Sequence, residues 1–145
     1  MSGPPPPATS TSAPMSVDFD WSGGLVFQAR VGDNAVTIDS DGKAGLSPVQ
    51  ALAAALAGCM SIDVAHILTK GREDLRGLKG RLVGWRAADD PHRFVRIDIK
   101  FTLQGEIHPD RVERALALSR EKYCSVWHSM RQDIDFTIAF EFEKP

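Results

Sequence analysis

The alternation of apolar and polar residues divides the chain into short strands and helical stretches. Six segments show the two-residue alternation or the extended pattern of β-strands: residues 17–21, 25–30, 35–38, 78–88, 94–103 and 134–142. Turn residues at 22–24 and 32–34 separate the first three segments, which indicates an antiparallel meander. The turn at residues 89–91 separates the fourth and fifth segments, which are predicted to form a second pair of strands.

A long helix is predicted between the third and fourth strands. Ser47 can accept a free backbone N–H and Pro48 suits the first helical position, so the helix starts there and runs to about Lys70, before Gly71. Its first half is rich in alanine on every side, which is typical of a helix buried all round. Gly58 costs about 1 kcal/mol of helix propensity relative to alanine, so we expect a close backbone approach or a bend there.

The second half of the chain contains two more predicted helices. One begins at Pro109 and runs to about Lys122, and a shorter one covers residues 123–130. The first has the stripe of a helix packed on one side, formed by Val112, Ala115, Leu116 and Ser119. The element order β-β-β-α-β-β-α-α-β predicts an α+β domain, with an antiparallel sheet against a central buried helix.

Composition separates a tail from this domain. Residues 1–16 contain five prolines and almost no large apolar side chains, so we expect a disordered tail, with Met15 as an alternative start. Residues 17–145 are long enough for one domain.

A net charge of -2 gives no basic field for nucleic acid. The longest apolar run, residues 51–57, is short for a membrane span, and no signal peptide is visible, so we expect a cytoplasmic protein.

Candidate chemistry begins with the two cysteines, Cys59 and Cys124, which lie on different predicted helices. In a reducing cytoplasm a structural disulfide is not expected, which leaves inert thiols, metal ligands or a cycling redox pair. Cys59, Asp63 and His66 lie along one helix face. The simplest interpretation makes Cys59 a small buried hydrophobe, Asp63 a solvated or paired carboxylate and His66 a core histidine.

Two alternatives involve a ligand. Cys59, His66, Cys124 and His128 have the ligand count of a zinc site, although their spacings differ from those of common zinc modules. A non-enzymatic binding or dimer-forming module would instead use aromatic side chains to line a slot. The candidates for such a slot are Trp21, Phe27, Trp85 and Trp127.

Thiol redox catalysis is the remaining interpretation. One thiolate attacks a peroxide oxygen to form a sulfenic acid, and the second thiol condenses with it to a disulfide. The N-terminus of its short helix would lower the pKa of the Cys124 thiol. Cys59 lies in mid-helix, so a cation from another segment is needed to lower its pKa. The candidate cations are Arg30, Arg120 and Arg131.

Two stretches of this sequence resemble the OsmC/Ohr family of osmotically inducible and organic-hydroperoxide-resistance proteins. The first is Ser47-Pro48 followed by Leu52, Ala54, Ala55, Ala57, Gly58, Cys59, Ile62, Asp63 and Val64. The second is residues 121–126, with Cys124 at its fourth position. The resemblance implies an OsmC-like α+β fold, an intertwined homodimer and dithiol-dependent reduction of small organic hydroperoxides, without a bound cofactor. It also implies that Cys59 is the peroxidatic cysteine and Cys124 the resolving one.

The sequence departs from the hydroperoxide-resistance branch at two positions. Leu25 follows Gly23-Gly24 where that branch has arginine, and Val49 stands where it has glutamate. Loss of such charge-assisted donors typically costs roughly 3–4 kcal/mol of transition-state stabilisation. The chain is therefore more similar to the broader OsmC-like branch, and weak activity is expected.

Overall fold

The structure is a computed structural model that describes residues 3–5 and 13–144. The described parts of the predicted tail, residues 3–5 and 13–16, are exposed and form no helix or strand. The prediction of disorder for residues 1–2 and 6–12 lies outside the described residues. The chain forms two compact units, of which the first ends at Pro48 and the second begins at Val49.

The first unit is a three-stranded antiparallel sheet. Its strands are β1 (Asp18–Gly23), β2 (Val26–Val31) and β3 (Asn34–Asp39), in the order β1-β2-β3. Gly24 and Gly32 have positive φ angles, +57° and +59°, in the two connecting turns, where glycine is favoured. The predicted meander is therefore confirmed.

The second unit contains helices and a second three-stranded sheet. Its elements are α1 (Pro48–Lys70), β4 (Gly77–Arg86), β5 (Phe94–Gln104), α2 (Pro109–Leu118), α3 (Ser125–His128) and β6 (Asp135–Phe142). Strand β5 is central; it pairs with β4 antiparallel and with β6 parallel. The expected all-antiparallel sheet is thus wrong for its last pair. The helical segment between β5 and β6 supplies the crossover that parallel neighbours require.

The core of the second unit joins three apolar stripes. The buried face of β5 consists of Phe94, Ile97, Ile99, Phe101 and Leu103. The buried stripe of α1 consists of Leu56, Met60, Val64 and Leu68, and that of α2 of Val112, Ala115 and Leu116. All belong to one hydrophobic cluster. The predicted stripe of α2 is confirmed, because Val112, Ala115, Leu116 and Ser119 are all buried.

Helix α1 has the predicted bounds, but within this chain it is buried on one side only. Ala54 and Ala55 are exposed, and Ile62 is 70% exposed. At Gly58 an added Cβ would meet no described atom within 4 Å, and the helix continues through this residue. The expected burial all round, and the expected close approach at Gly58, are therefore wrong for the single chain.

Helix α1 also has the length and composition of a membrane span. It is 23 residues long, and an 18-residue window within it has a mean hydropathy of 1.8. The core helix of a soluble protein meets the same two criteria, so they carry little weight for one helix. Four side chains of α1 are at most 1% exposed in the core of an α+β unit, an arrangement of the soluble type.

Candidate functional site: a thiol pair with a carboxylate

The two cysteines lie side by side in the second unit. Cys59 is in the middle of α1 and partly exposed, whereas Cys124 directly precedes α3 and is fully buried. The two sulfur atoms and a carboxylate oxygen of Asp63 all lie within 4.8 Å of one another. Both cysteines are free thiols. The structure thus brings together the two thiols that the sequence placed 65 residues apart.

A π-helical turn places Cys124 at this position. Helix α2 ends at Leu118, earlier than the predicted Lys122, and Ser119–Tyr123 forms a five-residue π-helical turn. The Cys124 N–H donates to the Ser119 carbonyl at 2.8 Å, which closes the wider turn. Cys124 itself has extended backbone angles, so the chain leaves the helix there before α3 begins. Single π turns are frequent at functional sites because they re-aim the side chains that follow.

A partly buried hydrogen bond connects this turn to α1. Ser119 is fully buried, and its hydroxyl donates to Asp63 Oδ2 at 2.8 Å. Asp63 lies one helical turn after Cys59, on the same face of α1. The sequence signal for this pair was a polar Ser119 in the apolar stripe of α2, because a buried hydroxyl requires a partner. The sequence did not identify Asp63 as that partner.

Burial controls the ionisation of Cys124. Burial raises the pKa of the Cys124 thiol to about 11, and the neighbouring Cys59 side chain also raises it. The Trp127 N–H donates to Cys124 Sγ at 3.4 Å and lowers the pKa, but this effect is smaller. Burial therefore outweighs the expected lowering of the Cys124 pKa by the N-terminus of α3, which has only four residues.

The three arginines proposed from the sequence have other partners. Arg120 donates to the Phe136 carbonyl at 2.8 Å and lies over the aromatic ring of the same residue. Arg131 forms two hydrogen bonds to Asp133. In the first unit, Arg30 pairs with Asp20 at 2.8 Å.

The positions that the resemblance assigns to an arginine and a glutamate carry no charge here. Leu25 lies in the turn between β1 and β2 and is 67% exposed. Val49 is at the start of α1 and packs against the core of the second unit. Neither side chain can supply a charge-assisted hydrogen bond to a peroxide.

The histidines do not join the thiol cluster. His66 is exposed rather than a core residue, and His128 Nε2 contacts the Arg120 carbonyl at 3.0 Å. In the described part of the chain, the metal-compatible group is instead Cys59, Asp63 and Cys124. Two thiolates and a carboxylate are a chemically suitable set for zinc.

An open groove lies along α1 beside Asp63. It has a volume of about 570 Å³ and is lined by Asp63, His66, Ile67, Lys70, Gly71, Leu118 and Tyr123. Asp63 belongs both to the groove and to the cluster with the thiols. A small molecule in the groove would therefore contact a residue that neighbours both sulfurs.

The aromatic residues of the second unit do not form a common slot. Trp127 is 3% exposed and lies against Phe136, with ring centroids 4.4 Å apart. Trp85 on β4 is 45% exposed and lies beside Arg96. Trp127 is therefore a core residue, whereas Trp85 is a surface residue.

The fold and the thiol pair define a class of small α+β proteins with two neighbouring cysteines, one on a helix and one directly before a helix. The chain belongs to the OsmC-like protein family, whose model matches residues 40–139. It is 32% identical to protein YhfA of Escherichia coli K12 in an alignment of 130 residues that covers 88% of this chain and 97% of YhfA. The family resemblance seen in the sequence is confirmed.

Solved structures share this fold. A hypothetical protein from Aquifex aeolicus VF5 superposes with a TM-score of 0.84 at 28% identity, over 91% of this chain and 98% of that one. The organic hydroperoxide resistance protein OhrB of Bacillus subtilis superposes with a TM-score of 0.59 at 16% identity, over 89% and 98% of the two chains. At this lower identity the likeness to OhrB concerns the fold alone.

Proposed function

We propose that this protein reduces organic hydroperoxides, with Cys59 as the peroxidatic cysteine and Cys124 as the resolving cysteine. The observation that carries the proposal is the proximity of two free sulfurs within 4.8 Å, one partly exposed and one buried. Membership in the OsmC-like family, and a fold shared with an organic hydroperoxide resistance protein, motivate the choice of a hydroperoxide as the substrate.

The reaction has three steps. The Cys59 thiolate attacks the hydroperoxide, takes its terminal oxygen as a sulfenic acid, and an alcohol leaves after protonation. Cys124 then attacks the Cys59 sulfur, which forms a disulfide and releases water. An external dithiol reduces the disulfide by exchange and leaves as a disulfide itself.

Differences in exposure support the assignment of roles. A hydroperoxide from solvent reaches the partly exposed Cys59 and not the fully buried Cys124. Because burial keeps Cys124 protonated at neutral pH, it is unsuited to attack a peroxide first. The uncharged Leu25 and Val49 favour a slow reductase over an efficient one.

We further propose a homodimer that works in a reducing compartment such as the cytoplasm. Exposed apolar side chains on α1, among them Ile62 at 70% and Leu52 at 39%, support an additional partner surface. Free thiols that must be regenerated by a dithiol fit a reducing compartment.

Peroxide consumption tests the proposed reaction. With cumene hydroperoxide and dithiothreitol, we expect turnover by the wild type and none by Cys59→Ser. With cumene hydroperoxide alone, Cys124→Ser should accumulate a Cys59 sulfenic acid. Ser125→Ala, at an exposed position beside Cys124, is the matched control and should keep the wild-type rate. Equal rates in the wild type and both cysteine variants would end the proposal.

The two alternatives are tested with the same preparation. Elemental analysis should find zinc well below one atom per chain, and one atom per chain would favour a metal site at Cys59, Asp63 and Cys124. A closed apolar slot beside separated thiols would favour the non-enzymatic alternative. The observed sulfur proximity does not favour it.

A further inference from the structure

In the second step of the proposed reaction, the buried Cys124 thiol must be deprotonated. Cys124 must lose its proton to attack Cys59, but its pKa is raised to about 11 by burial. Near pH 7 only about one molecule in 10⁴ would carry the reactive thiolate. A neighbouring base that takes the proton during the attack would remove this restriction.

The structure brings one carboxylate to the required place. An oxygen of Asp63 lies within 4.8 Å of both sulfur atoms. This separation is short enough for proton transfer through one water molecule, and water is also the product of the step. Asp63 reaches this position because it follows Cys59 by one turn of α1.

A second contact fixes the carboxylate. Ser119, which is fully buried, donates its hydroxyl proton to Asp63 Oδ2 at 2.8 Å. The carbonyl of the same residue accepts the Cys124 N–H at 2.8 Å. One buried residue therefore holds both the carboxylate and the backbone of the resolving cysteine.

We propose that Asp63 is the proton-transfer residue of disulfide formation, taking the Cys124 thiol proton and delivering it to the oxygen that leaves Cys59. This inference rests on the proposed function for its peroxide step. Ser119 is a positioning residue, because it acts through Asp63 and the Cys124 backbone.

The step balances as a condensation. The Cys124 S–H bond breaks, the new S–S bond forms, and the S–O bond of the Cys59 sulfenic acid breaks with its electron pair on oxygen. The proton moves to Asp63 as the attacking sulfur becomes acidic, and then to the leaving hydroxide, which departs as water. A carboxylate is a weaker base than a thiolate, so the proton transfer accompanies bond formation rather than preceding it.

Other titratable groups near Asp63 are limited in kind. His66 and Lys70 from α1 and Tyr123 from the π turn line the same groove, and the two thiols complete the surroundings. In the described part of the chain, Asp63 is the one carboxylate of the thiol cluster. Replacement by asparagine therefore removes the anionic base while it keeps the shape of the side chain.

A thiol–disulfide assay tests the proton transfer without peroxide. The aromatic disulfide reagent dithiobis(nitrobenzoate) first forms a mixed disulfide with the partly exposed Cys59 and releases one thionitrobenzoate. Cys124 then attacks this mixed disulfide and releases the second one, which absorbs visible light. Because thionitrobenzoate leaves as a stable anion, the second phase reports only the removal of the Cys124 proton.

We expect Asp63→Asn to slow the second phase about 10²-fold near pH 7 and to leave the first phase within a few-fold. In this variant the second phase should rise tenfold for each pH unit, whereas in the wild type it should depend weakly on pH. Ser119→Ala should give an intermediate loss. Glu121→Gln, which removes an exposed carboxylate from the same turn, should behave as the wild type.

The direction of the effect separates base catalysis from a simple charge effect. A nearby negative charge opposes thiolate formation, so Asp63→Asn would accelerate the second phase if Asp63 acted only through its charge. An unchanged or faster second phase overturns the inference. If Asp63→Asn fails to fold, a tenfold rise per pH unit in the wild type overturns it equally.

Hydroperoxide then separates this inference from the proposed function. Wild type that forms a Cys59–Cys124 disulfide with cumene hydroperoxide, together with Asp63→Asn that accumulates Cys59 sulfenic acid, supports both. A different outcome would refute the proposed function and still support the proton transfer by Asp63. In that outcome the wild type does not react with hydroperoxide, but Asp63→Asn slows the second phase of the aromatic disulfide assay as expected.

Discussion

Cys59 and Cys124 have neighbouring sulfurs but different surroundings. Cys59 is partly exposed on α1, whereas Cys124 is covered completely and accepts a hydrogen bond from the Trp127 N–H. Access to solvent rather than helix position therefore distinguishes the two thiols. The order of events in the proposed reaction follows from this asymmetry.

The raised pKa of Cys124 makes stability depend on pH in the alkaline range. In the folded protein the Cys124 thiol keeps its proton up to about pH 11, whereas an ordinary thiol releases it near pH 9. The contribution of this thiol to the free energy of unfolding is therefore fully present below about pH 9 and is lost as the pH rises to about 11. We expect the free energy of unfolding of the reduced wild type to fall between about pH 9 and 11. Guanidinium unfolding at several pH values measures it.

Cys124→Ser is the control for this pH dependence, because serine does not ionise in the same range. Its free energy of unfolding should change less than that of the wild type above about pH 9. Parallel decreases in the two proteins would contradict a buried, protonated Cys124.

Single residues of the site were predictable to different degrees. The cysteines were found from the sequence because their flanking motifs are specific, and the alignment of Cys59 with Asp63 follows from helix geometry. The bond from Ser119 to Asp63 was not predicted, since it depends on how closely α1 approaches the π turn. Contacts 56 residues apart in sequence require the tertiary structure.

At the level of elements, α1 carries both the core stripe and one of the thiols. Its buried side chains alternate with the site residues along the helix, so Met60 lies in the core directly after Cys59. Packing of α1 therefore fixes the direction in which Cys59 and Asp63 point.

Met60→Ala should lower the free energy of unfolding by about 2–5 kcal/mol, because Met60 is 0% exposed and its loss leaves a cavity. Denaturant unfolding monitored by circular dichroism measures the change. Thr69→Ala, at an exposed position of the same helix, is the matched control and should change stability by at most about 0.5 kcal/mol. A similar effect of both substitutions would contradict the core position of Met60.

Elements with strong end signals were predicted well. Pro48 and Gly71 bound α1 as expected, because proline favours the first position and glycine follows the last turn. The sequence predicted ordinary helix at Ser119–Tyr123, where the structure has a π turn, because such turns are rare and the apolar stripe of α2 continues to Ser119. The parallel pairing of β6 with β5 was also missed, because an alternating pattern shows which face is buried but not the strand direction.

At the level of the whole molecule, the α+β class and the family followed from element order and two motifs. The extent to which α1 is buried did not follow from the sequence, because the chain alone covers only one side of this helix. The proposed homodimer gives the remaining apolar side chains a partner.

Ile62→Lys tests the homodimer, since Ile62 is 70% exposed in the chain and a buried charge would oppose association. Sedimentation velocity should give twice the chain mass for the wild type and a shift toward the single-chain mass for Ile62→Lys. Glu113→Lys, at an exposed position on α2, should remain dimeric. A monomeric wild type would refute the homodimer.

The π turn makes chain length a part of the site. Each residue turns an α-helix by about 100° and advances it by about 1.5 Å, so one residue fewer between Ser119 and Cys124 would rotate the second thiol away from the first. Substitutions at exposed positions within the turn, such as Glu121, leave this count unchanged. The segment can therefore vary in residue type, but a deletion or insertion of one residue would separate the thiols while it left both cysteines in the sequence.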